Sequence, residues 1–330
     1  MLQKEELAKK WHIGLKTAEQ TLKVTTQKGT RNLLHPLHKR AKMRPYLSKP
    51  IAKGQWYSDT MFFKHTSVMR QEKAAQVTTN GKFTHFFPIV RKANCSDALM
   101  NFIHTIGIPE QIVTDGAKEE GAFDTYGANW NKVVKRYNIR QTWIQPYCWF
   151  QNSAEAEISQ IRMDIRWNTR QKNSPQQLWA FCGALCVGRR NRTAKDKNMG
   201  RTGFEVAKGY TPDITLYLEH EWYELVYWFD SKEKEMQMGR WLGPCGDDFG
   251  AGDCYYILAK SGKIHVTNTT QKIPEEDLKT DDKKTEVKWF DESIHARIGD
   301  KVKDGFHWME EEYPDPGGPI RRGGRGFYAC

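Results

Sequence analysis

The chain has 330 residues and a formal net charge of +11, and 38% of its residues are hydrophobic. This composition is that of a globular protein, which excludes a fibrous protein and a wholly disordered chain. No run approaches the roughly 18 to 20 apolar residues of a membrane span, so no association with a membrane is expected. The length exceeds what one hydrophobic core usually supports, and we therefore expect two or three folding units.

The cysteines and the N-terminus indicate an intracellular protein. The seven cysteines are an odd number, and no two of them form a CxxC pair. A zinc ribbon or the disulfide framework of a secreted domain is therefore not expected. The opening residues, MLQKEELAKK, lack the apolar core of a secretion signal.

The positive charge is concentrated in the first two-thirds of the chain. Residues 1–55 carry a net charge of +10, residues 56–215 carry +8, and residues 216–330 carry −7. A polyanion such as nucleic acid would therefore bind the first two segments. The alternative is that the basic surface only keeps the protein soluble.

Residues 1–30 are predicted to form a helix-turn-helix-like segment. Apolar residues recur at helical spacing over residues 5–10 and 16–24, on either side of a turn at residues 12–14. Such a motif can place its second helix in a DNA major groove, although many short helical hairpins share the pattern. Residues 31–54 are basic and irregular, which predicts a linker.

Residues 55–215 are predicted to form an α/β domain with a mixed sheet flanked by helices. Three strand-like segments come first, and the Asn80-Gly81 pair between the second and third is a strong hairpin signal. Helices and short strands then alternate, which is typical of a partly parallel sheet. The predicted strands cover residues 55–63, 73–79, 82–90, 110–116 and 139–144, and the predicted helices cover 94–107, 123–137, 152–167 and 175–190.

The last third of the chain divides into two segments. Residues 216–275 contain short aromatic stretches separated by Gly, Ser and Asp turns, which predict a small β domain. Residues 276–330 are dense in charge, show little apolar periodicity and end in a stretch rich in Pro and Gly. We therefore predict a charged, largely disordered tail over residues 276–330.

Three carboxylates stand out as candidates for chemistry. Asp59 lies inside a strand-like segment, where Asp is disfavoured; Asp115 ends a buried strand; and Glu155 lies in the first turn of a helix. Each has a structural explanation, as an edge residue, a turn residue or a favourable charge at a helix start. Together they would form an all-oxygen site, which suits Mg²⁺ or Mn²⁺. Two such ions can activate the attacking oxygen and stabilise the leaving one in phosphodiester chemistry.

Sequence motifs surround these carboxylates. IVTDGAKEE contains Asp115, PYCWFQNSAEAEISQIR contains Glu155, and TGFEVAKGYTPDI follows the predicted α/β core. The first two are similar to the TDxGxEF and P-x-x-x-QN-x-x-E motifs of retroviral-type DDE integrases, whose catalytic domain has a ribonuclease-H-like fold. The third, with WYELVYWF and GRWLGP, resembles segments of copia-like LTR retrotransposon polyproteins, in which a small, SH3-like β domain follows the core. The resemblance covers about residues 1–275.

The resemblance implies that Asp59, Asp115 and Glu155 are the catalytic residues and the ligands of two Mg²⁺ or Mn²⁺ ions. Glu157 is the alternative third carboxylate. Residues two apart on a helix point about 200° apart, so only one of Glu155 and Glu157 can face the site. The QNxAE register of the family favours Glu155.

Polar and basic residues near these motifs are the implied contacts to DNA. They are Lys118, Gln151, Asn152, Arg189, Arg190 and Arg192. The three arginines follow the last core helix and would bind the DNA backbone or form a nuclear-import patch, although a solvated helix end has the same composition.

The function implied is that of a retrotransposon integrase, which processes the 3′ ends of element DNA and transfers them into target DNA with Mg²⁺. Its partners would be double-stranded DNA and further copies of the chain, and it would act in the nucleus after assembly in the cytoplasm. One alternative is a catalytically inactive DNA-binding relic of such a polyprotein. Another is a nuclease of the same fold that cuts DNA without joining it.

The chain departs from the family near its N-terminus. Family members often carry a His-His-Cys-Cys zinc module, whereas His12, His35 and His38 are followed by no cysteine before Cys95. No zinc is therefore expected. The sequence also contains no protease, reverse transcriptase or ribonuclease H segment, and we interpret it as a polyprotein fragment or a decayed genomic copy.

Overall fold

The computed structural model describes residues 2–27, 50–115, 128–144, 152–230, 233–245 and 254–298. Most of the predicted linker, the predicted DNA contacts Lys118 and Gln151, and residues 299–330 lie outside these ranges. Within them, no helix has both the length and the apolar character that crossing a membrane requires.

The N-terminal segment forms two helices, α1 (Lys4–Trp11) and α2 (Leu15–Lys23), as its apolar spacing predicts. His12 ends α1 in the left-handed conformation, with φ of 54°, which reverses the chain into α2. The Thr21 hydroxyl of α2 accepts a hydrogen bond from the Ala194 backbone N–H at 3.0 Å. The two helices share a small apolar core, whose buried residues are Leu7, Trp11, Ala18, Ile214 and Leu218. One face of the helical hairpin is therefore fixed to the rest of the chain.

Five strands form the central sheet, in the order β3-β2-β1-β4-β5. They are β1 (Ile51–Phe62), β2 (Ala74–Thr79), β3 (Thr84–Ile89), β4 (Ile108–Thr114) and β5 (Arg140–Trp143). β2 runs antiparallel to β1 and β3, whereas β1, β4 and β5 are parallel to one another. The prediction of a mixed sheet is confirmed.

The first strand starts earlier than its sequence predicts. β1 begins at Ile51 and not at Gln55, because Ile51 and Ala52 pair with the start of β4. The pairing register then shifts around Gly54, whose φ is 83°. Such a bulge interrupts the alternation of apolar residues. The predicted linker boundary at residue 54 therefore falls inside the strand.

Helices cover both faces of this sheet. They are α3 (Cys95–Thr105), α4 (Ala128–Arg136), α5 (Ser153–Lys172), α6 (Trp179–Arg192), α7 (Gly203–Lys208) and α8 (Thr215–Leu218). On one face, Met61 lies in an apolar cluster with Ile161 of α5. On the other, Ile112 clusters with Ile103 of α3 and Trp130 of α4. A mixed five-stranded sheet between helices is the ribonuclease-H-like arrangement, so the predicted fold class is confirmed.

A second sheet of five antiparallel strands follows, in the order β10-β6-β7-β8-β9. Its strands are β6 (Leu225–Asp230), β7 (Glu235–Cys245), β8 (Cys254–Ala259), β9 (Ile264–Thr267) and β10 (Thr270–Lys272). Trp241 and Ile257 of this sheet belong to the same apolar cluster as Leu185 of α6. The predicted boundary near residue 215 thus marks a change of secondary structure within one continuous core.

The structure shows two helices in the first part of the segment that was predicted to be a largely disordered tail. Glu275–Leu278 form the short helix α9, and Asp281–Ile298 form the helix α10. Phe290 and Ile294 of α10 are 2% and 0% exposed, within the core beside the second sheet. The apolar side of α10 consists of Val287, Phe290, Ile294 and Ile298. Their helical spacing was the missed signal, because dense charge on the other sides of the helix obscured it.

We expect Ile294→Val to lower the free energy of unfolding by about 1 kcal/mol, because it removes one methylene from a filled site. Urea unfolding followed by tryptophan fluorescence measures this difference. Ala296→Ser, on the exposed side of α10, is the matched control and should change the free energy by a few tenths of a kcal/mol. Equal effects of the two substitutions would show that α10 does not pack as described.

Candidate active site

The register of two parallel strands places two of the predicted carboxylates side by side. Tyr57 of β1 pairs with Val113 of β4, and continuing this register by two residues brings Asp59 level with Asp115, directly after the end of β4. Side chains alternate along a strand, and both carboxylates therefore lie on the same face. Neighbouring strands lie about 4.8 Å apart. Met61, on that face too, clusters with α5, so the two carboxylates face the side of the sheet that α5 covers.

The third carboxylate is placed by the start of α5. Asn152 caps this helix, and its side-chain oxygen accepts a hydrogen bond from the Ala154 backbone N–H at 3.0 Å. The cap fixes the first helical turn, which contains Glu155. Asn152 itself is 4% exposed. The sequence predicted a contact between Asn152 and DNA, which stays a prediction; in the structure this side chain caps the helix.

Glu157 forms an ion pair with a basic residue of another helix. Its carboxylate accepts a hydrogen bond from Arg190 Nη2 at 3.0 Å and lies 4.0 Å from Lys197 Nζ. Arg190 belongs to α6, and Lys197 belongs to the segment after it. Glu155, by contrast, interacts with the charge of Asp115, which favours it over Glu157 as the predicted third carboxylate.

Electrostatics show that the three carboxylates share one environment. The pKa of Asp59 is raised to about 6, chiefly by burial and then by the charges of Asp115 and Glu155, while the Thr60 N–H hydrogen bond and Lys92 act in the opposite direction. The pKa of Glu155 is raised as well, by burial and by the charge of Asp115. The charge of Asp115 thus makes ionisation of Asp59 and of Glu155 more costly, and the charge of Glu155 adds to the cost at Asp59. Such a cluster favours a bound cation or a bound proton.

A divalent metal ion fits the chemistry of this donor set. All three groups offer carboxylate oxygens, which Mg²⁺ and Mn²⁺ prefer, and the mutual repulsion described above would be relieved by a cation. In the part of the chain that the structure describes, however, no three His, Cys, Asp or Glu side chains lie close enough to form a metal site. The carboxylates are therefore electrostatic neighbours, and a metal ion bound by all three stays a prediction.

The three arginines in the last turn of α6 all have partners within the protein. Arg189 is 8% exposed and donates hydrogen bonds to the carbonyls of Lys10 and His220 at 3.5 and 3.3 Å. The sequence predicted a DNA contact here; the structure shows a buried side chain that joins three segments, and its contact with DNA stays a prediction. The helical spacing of Arg189 from the buried Cys182 and Cys186 was the signal that could have revealed it.

The other two arginines also have partners within the chain. Arg190 donates to Glu157 and, at 3.3 Å, to Asp164. The Arg192 guanidinium lies over the rings of Phe204 and Tyr217, at 4.6 and 4.3 Å from their centroids. Contact of these two arginines with DNA stays a prediction, and it would compete with these interactions.

Exposed cations lie next to these arginines. The Lys197 side chain is 49% exposed, and Lys82 and Arg201 are exposed as well. The β2–β3 turn that contains Lys82 approaches the segment after α6, since a Cβ on Gly81 would lie 3.9 Å from Lys197 Nζ. Lys195 is more enclosed, and burial lowers its pKa to about 8. The sequence prediction did not include Lys82, Lys197 or Arg201 among the DNA contacts.

Comparison with known proteins gives only distant similarities. No protein-family model matches the chain, and no curated protein matches it. Among solved structures, the HTLV-2 integrase catalytic core domain in complex with magnesium, in its trimeric form, is 13% identical. It has a TM-score of 0.37 and covers 48% of this chain and 99% of its own. The BIV integrase catalytic core domain is 14% identical, with a TM-score of 0.34, over 47% of this chain and 93% of its own.

A third structure covers more of the chain. The simian T-cell lymphotropic virus intasome in complex with PP2A regulatory subunit B56 gamma is 12% identical, with a TM-score of 0.37. It covers 69% of this chain and 84% of its own. At such scores the similarities support no statement about activity. Function is therefore inferred from the strand order and the carboxylates of this chain.

Proposed function

We propose that this protein is a DDE-type integrase, a polynucleotidyl transferase, derived from a copia-like retrotransposon. The observation that carries the proposal is the alignment of Asp59 with Asp115 on one face of the sheet, with Glu155 in electrostatic contact. The motifs around Asp115 and Glu155, and the small β domain after the core, support the copia-like origin. We extend the proposal to action in the nucleus and to assembly of several copies on DNA.

In the proposed mechanism the sheet supplies rigidity. Asp59 is held in the middle of the five-stranded sheet and Asp115 at the end of the adjacent strand, so their separation is set by the strand spacing. The capped first turn of α5 holds Glu155 opposite them. These three carboxylates would hold the metal. Bound Mg²⁺ supplies activation of the attacking hydroxyl or water and neutralises charge on the scissile phosphate.

A strand-transfer assay tests the proposal. The protein is incubated with a duplex oligonucleotide bearing the element end, a target plasmid and Mg²⁺, and joined products are measured. We expect the wild-type chain to join the DNA ends and Asp115→Asn to form no joined product. The substitution replaces a negatively charged metal ligand with a neutral amide and leaves the rest of the site unchanged. Joining by the variant at the wild-type rate would refute the proposal.

A catalytically silent DNA-binding protein is the second candidate. The observation that favours it is the spacing of the carboxylates, which do not form a ready metal site among the described residues. The two candidates differ in metal binding. An integrase should bind Mn²⁺ in a way that depends on Asp59, whereas a silent relic should bind DNA with no such dependence.

The exposed cations beside the site would contact the DNA backbone. Lys82, Lys197 and Arg201 lie where the β2–β3 turn meets the segment after α6. That segment is also joined to α5, since Lys197 lies 4.0 Å from Glu157, two residues from Glu155. A phosphodiester chain that enters the site from this side would thus pass these charges. Such contacts bind DNA with little regard to sequence.

We expect Lys197→Gln to weaken DNA binding about equally for all sequences. One lost phosphate contact should make the slope of log affinity against log salt concentration about 0.9 shallower. Fluorescence anisotropy of a labelled duplex at several salt concentrations measures this slope. Lys284→Gln, an exposed lysine on α10, is the matched control and should leave the slope unchanged. An unchanged slope for Lys197→Gln would remove this residue from the DNA path.

A further inference from the structure

The described cysteines include two close pairs in opposite environments. Cys182 and Cys186 lie one turn apart on α6 and are buried in the core. Burial raises the pKa of the Cys182 thiol well above its usual range. Cys245 and Cys254 lie at the ends of β7 and β8 that border residues 246–253, and both are partly exposed. The second pair is therefore the one that reagents in solution can reach.

Strand pairing places the two thiols of the second pair against each other. Cys245 and Cys254 are register partners in the antiparallel β7–β8 pair. Partners of this kind have Cα atoms about 4.5 to 5.5 Å apart, which lies inside the range of about 4.4 to 6.8 Å for disulfides. The Cys254 thiol donates a hydrogen bond to the Cys245 carbonyl. A bond between the two sulfur atoms therefore requires little movement of the backbone.

The surroundings also activate one of the thiols. The neighbouring Cys254 thiol and then the Tyr256 hydroxyl stabilise the Cys245 thiolate and lower the pKa of Cys245 to about 6, although burial acts in the opposite direction. Cys245 is thus largely a thiolate at neutral pH, and the thiolate is the form that attacks disulfides. Cys254 stands next to it as the resolving thiol.

We propose that Cys245 and Cys254 form a redox-modification site that accepts a small-molecule disulfide, such as oxidised glutathione, as oxidant. The Cys245 thiolate attacks one sulfur of the oxidant, which forms a mixed disulfide and releases one glutathione thiolate. Cys254 then loses its proton and attacks the Cys245 sulfur, which releases the second glutathione. The protein loses two hydrogens, and one oxidised glutathione becomes two reduced molecules.

Oxidation at this site would cross-link β7 and β8 by a disulfide bond. The β7 backbone packs on α6, since a Cβ on Gly243 would lie 3.7 Å from Leu185 Cβ. The disulfide would close the connection at residues 246–253 and reduce its freedom in the unfolded chain. We expect the oxidised protein to unfold at a higher temperature than the reduced protein.

The test uses the full chain under native conditions. The protein is incubated with oxidised glutathione at pH 7.5 and digested, and its disulfides are mapped by mass spectrometry. We expect a Cys245–Cys254 bridge in the wild type and a stable glutathione adduct on Cys245 in Cys254→Ser. Cys186→Ser is the matched control and should still form the bridge. Absence of the bridge in folded wild-type protein would overturn the proposal.

A second measurement needs no variant. Alkylation of the native wild-type protein by iodoacetamide is followed residue by residue as a function of pH. Cys245 should react at pH 7 at least about tenfold faster than an ordinary thiol, whose pKa is near 8.5. Cys182 should stay protected. Equal protection of Cys245 and Cys182 would contradict the assignment.

Discussion

Glu155→Gln is expected to reduce strand transfer in Mg²⁺ by at least about 10³-fold, with little change in the stability of the protein. The substitution keeps the shape of the side chain and removes the negative charge that would hold the metal. Glu155 also has a raised pKa, from burial and from the charge of Asp115, so its loss removes repulsion and not a stabilising bond. A single-turnover strand-transfer assay and a urea unfolding curve measure the two quantities.

Glu157→Gln is the matched control, two residues along the same helix. It weakens the ion pair with Arg190, in which both side chains are largely buried. We therefore expect it to lower the free energy of unfolding by about 1 to 3 kcal/mol and to leave strand transfer within about tenfold of the wild type. The reverse pattern would make Glu157 the third catalytic carboxylate and contradict the site described here.

Asp59→Asn is expected to stabilise the metal-free protein at neutral pH while it abolishes strand transfer. The pKa of Asp59 is raised from 3.8 to about 6, chiefly by burial and then by the charges of Asp115 and Glu155. A shift of this size corresponds to at most about 3 kcal/mol of lost stability when the carboxylate is ionised. The neutral amide removes this cost, and its oxygen can still accept the 2.6 Å hydrogen bond from the Thr60 N–H.

The pH dependence follows from the direction of this shift. A raised pKa means that the folded state binds the proton more tightly than the unfolded state. The contribution of Asp59 is therefore most favourable below pH 3.8 and is lost as the pH rises through about 6. The stability that Asp59→Asn gains over the wild type should be greatest at pH 7.5 and should decrease towards pH 4. Urea unfolding of both proteins without divalent metal, at these two pH values, measures the difference in their free energies of unfolding.

Asp97→Asn serves as the control, because Asp97 is exposed in the first turn of α3. It should not stabilise the protein at pH 7.5. Saturating Mn²⁺ should reverse the order of wild type and Asp59→Asn, since only the wild type keeps all three ligands. An Asp59→Asn variant less stable than the wild type at pH 7.5 would show that the three carboxylates do not repel one another.

Local signals in the sequence predicted much of the fold. The Asn80-Gly81 turn, the strand that ends at Asp115 and the helix that starts at Asn152 are all readable from neighbouring residues, and all are present. The α10 helix was missed because its apolar side is narrow and its other sides are highly charged. The early start of β1 was missed because pairing with β4, and not local preference, determines it.

The site shows the same division between local and long-range information. Motifs around Asp115 and Glu155 identified the carboxylates, but the register of β1 against β4 brings Asp59 level with Asp115. The sequence could not separate Glu155 from Glu157 by geometry, because the partner of Glu157 lies on another helix. Arg189 looked like a surface cation for the same reason: its acceptors are carbonyls of distant segments. Long-range packing therefore decides which charged residues remain free to act on a substrate.

The most direct test of the central claim is a calorimetric titration of the full chain with Mn²⁺, for the wild type and for Asp115→Asn. It needs no DNA substrate and reports on the three carboxylates alone. The wild type should show saturable binding of Mn²⁺, and Asp115→Asn should lose it. Equal binding by the two proteins would show that Asp115 is not a metal ligand and would contradict the proposed site.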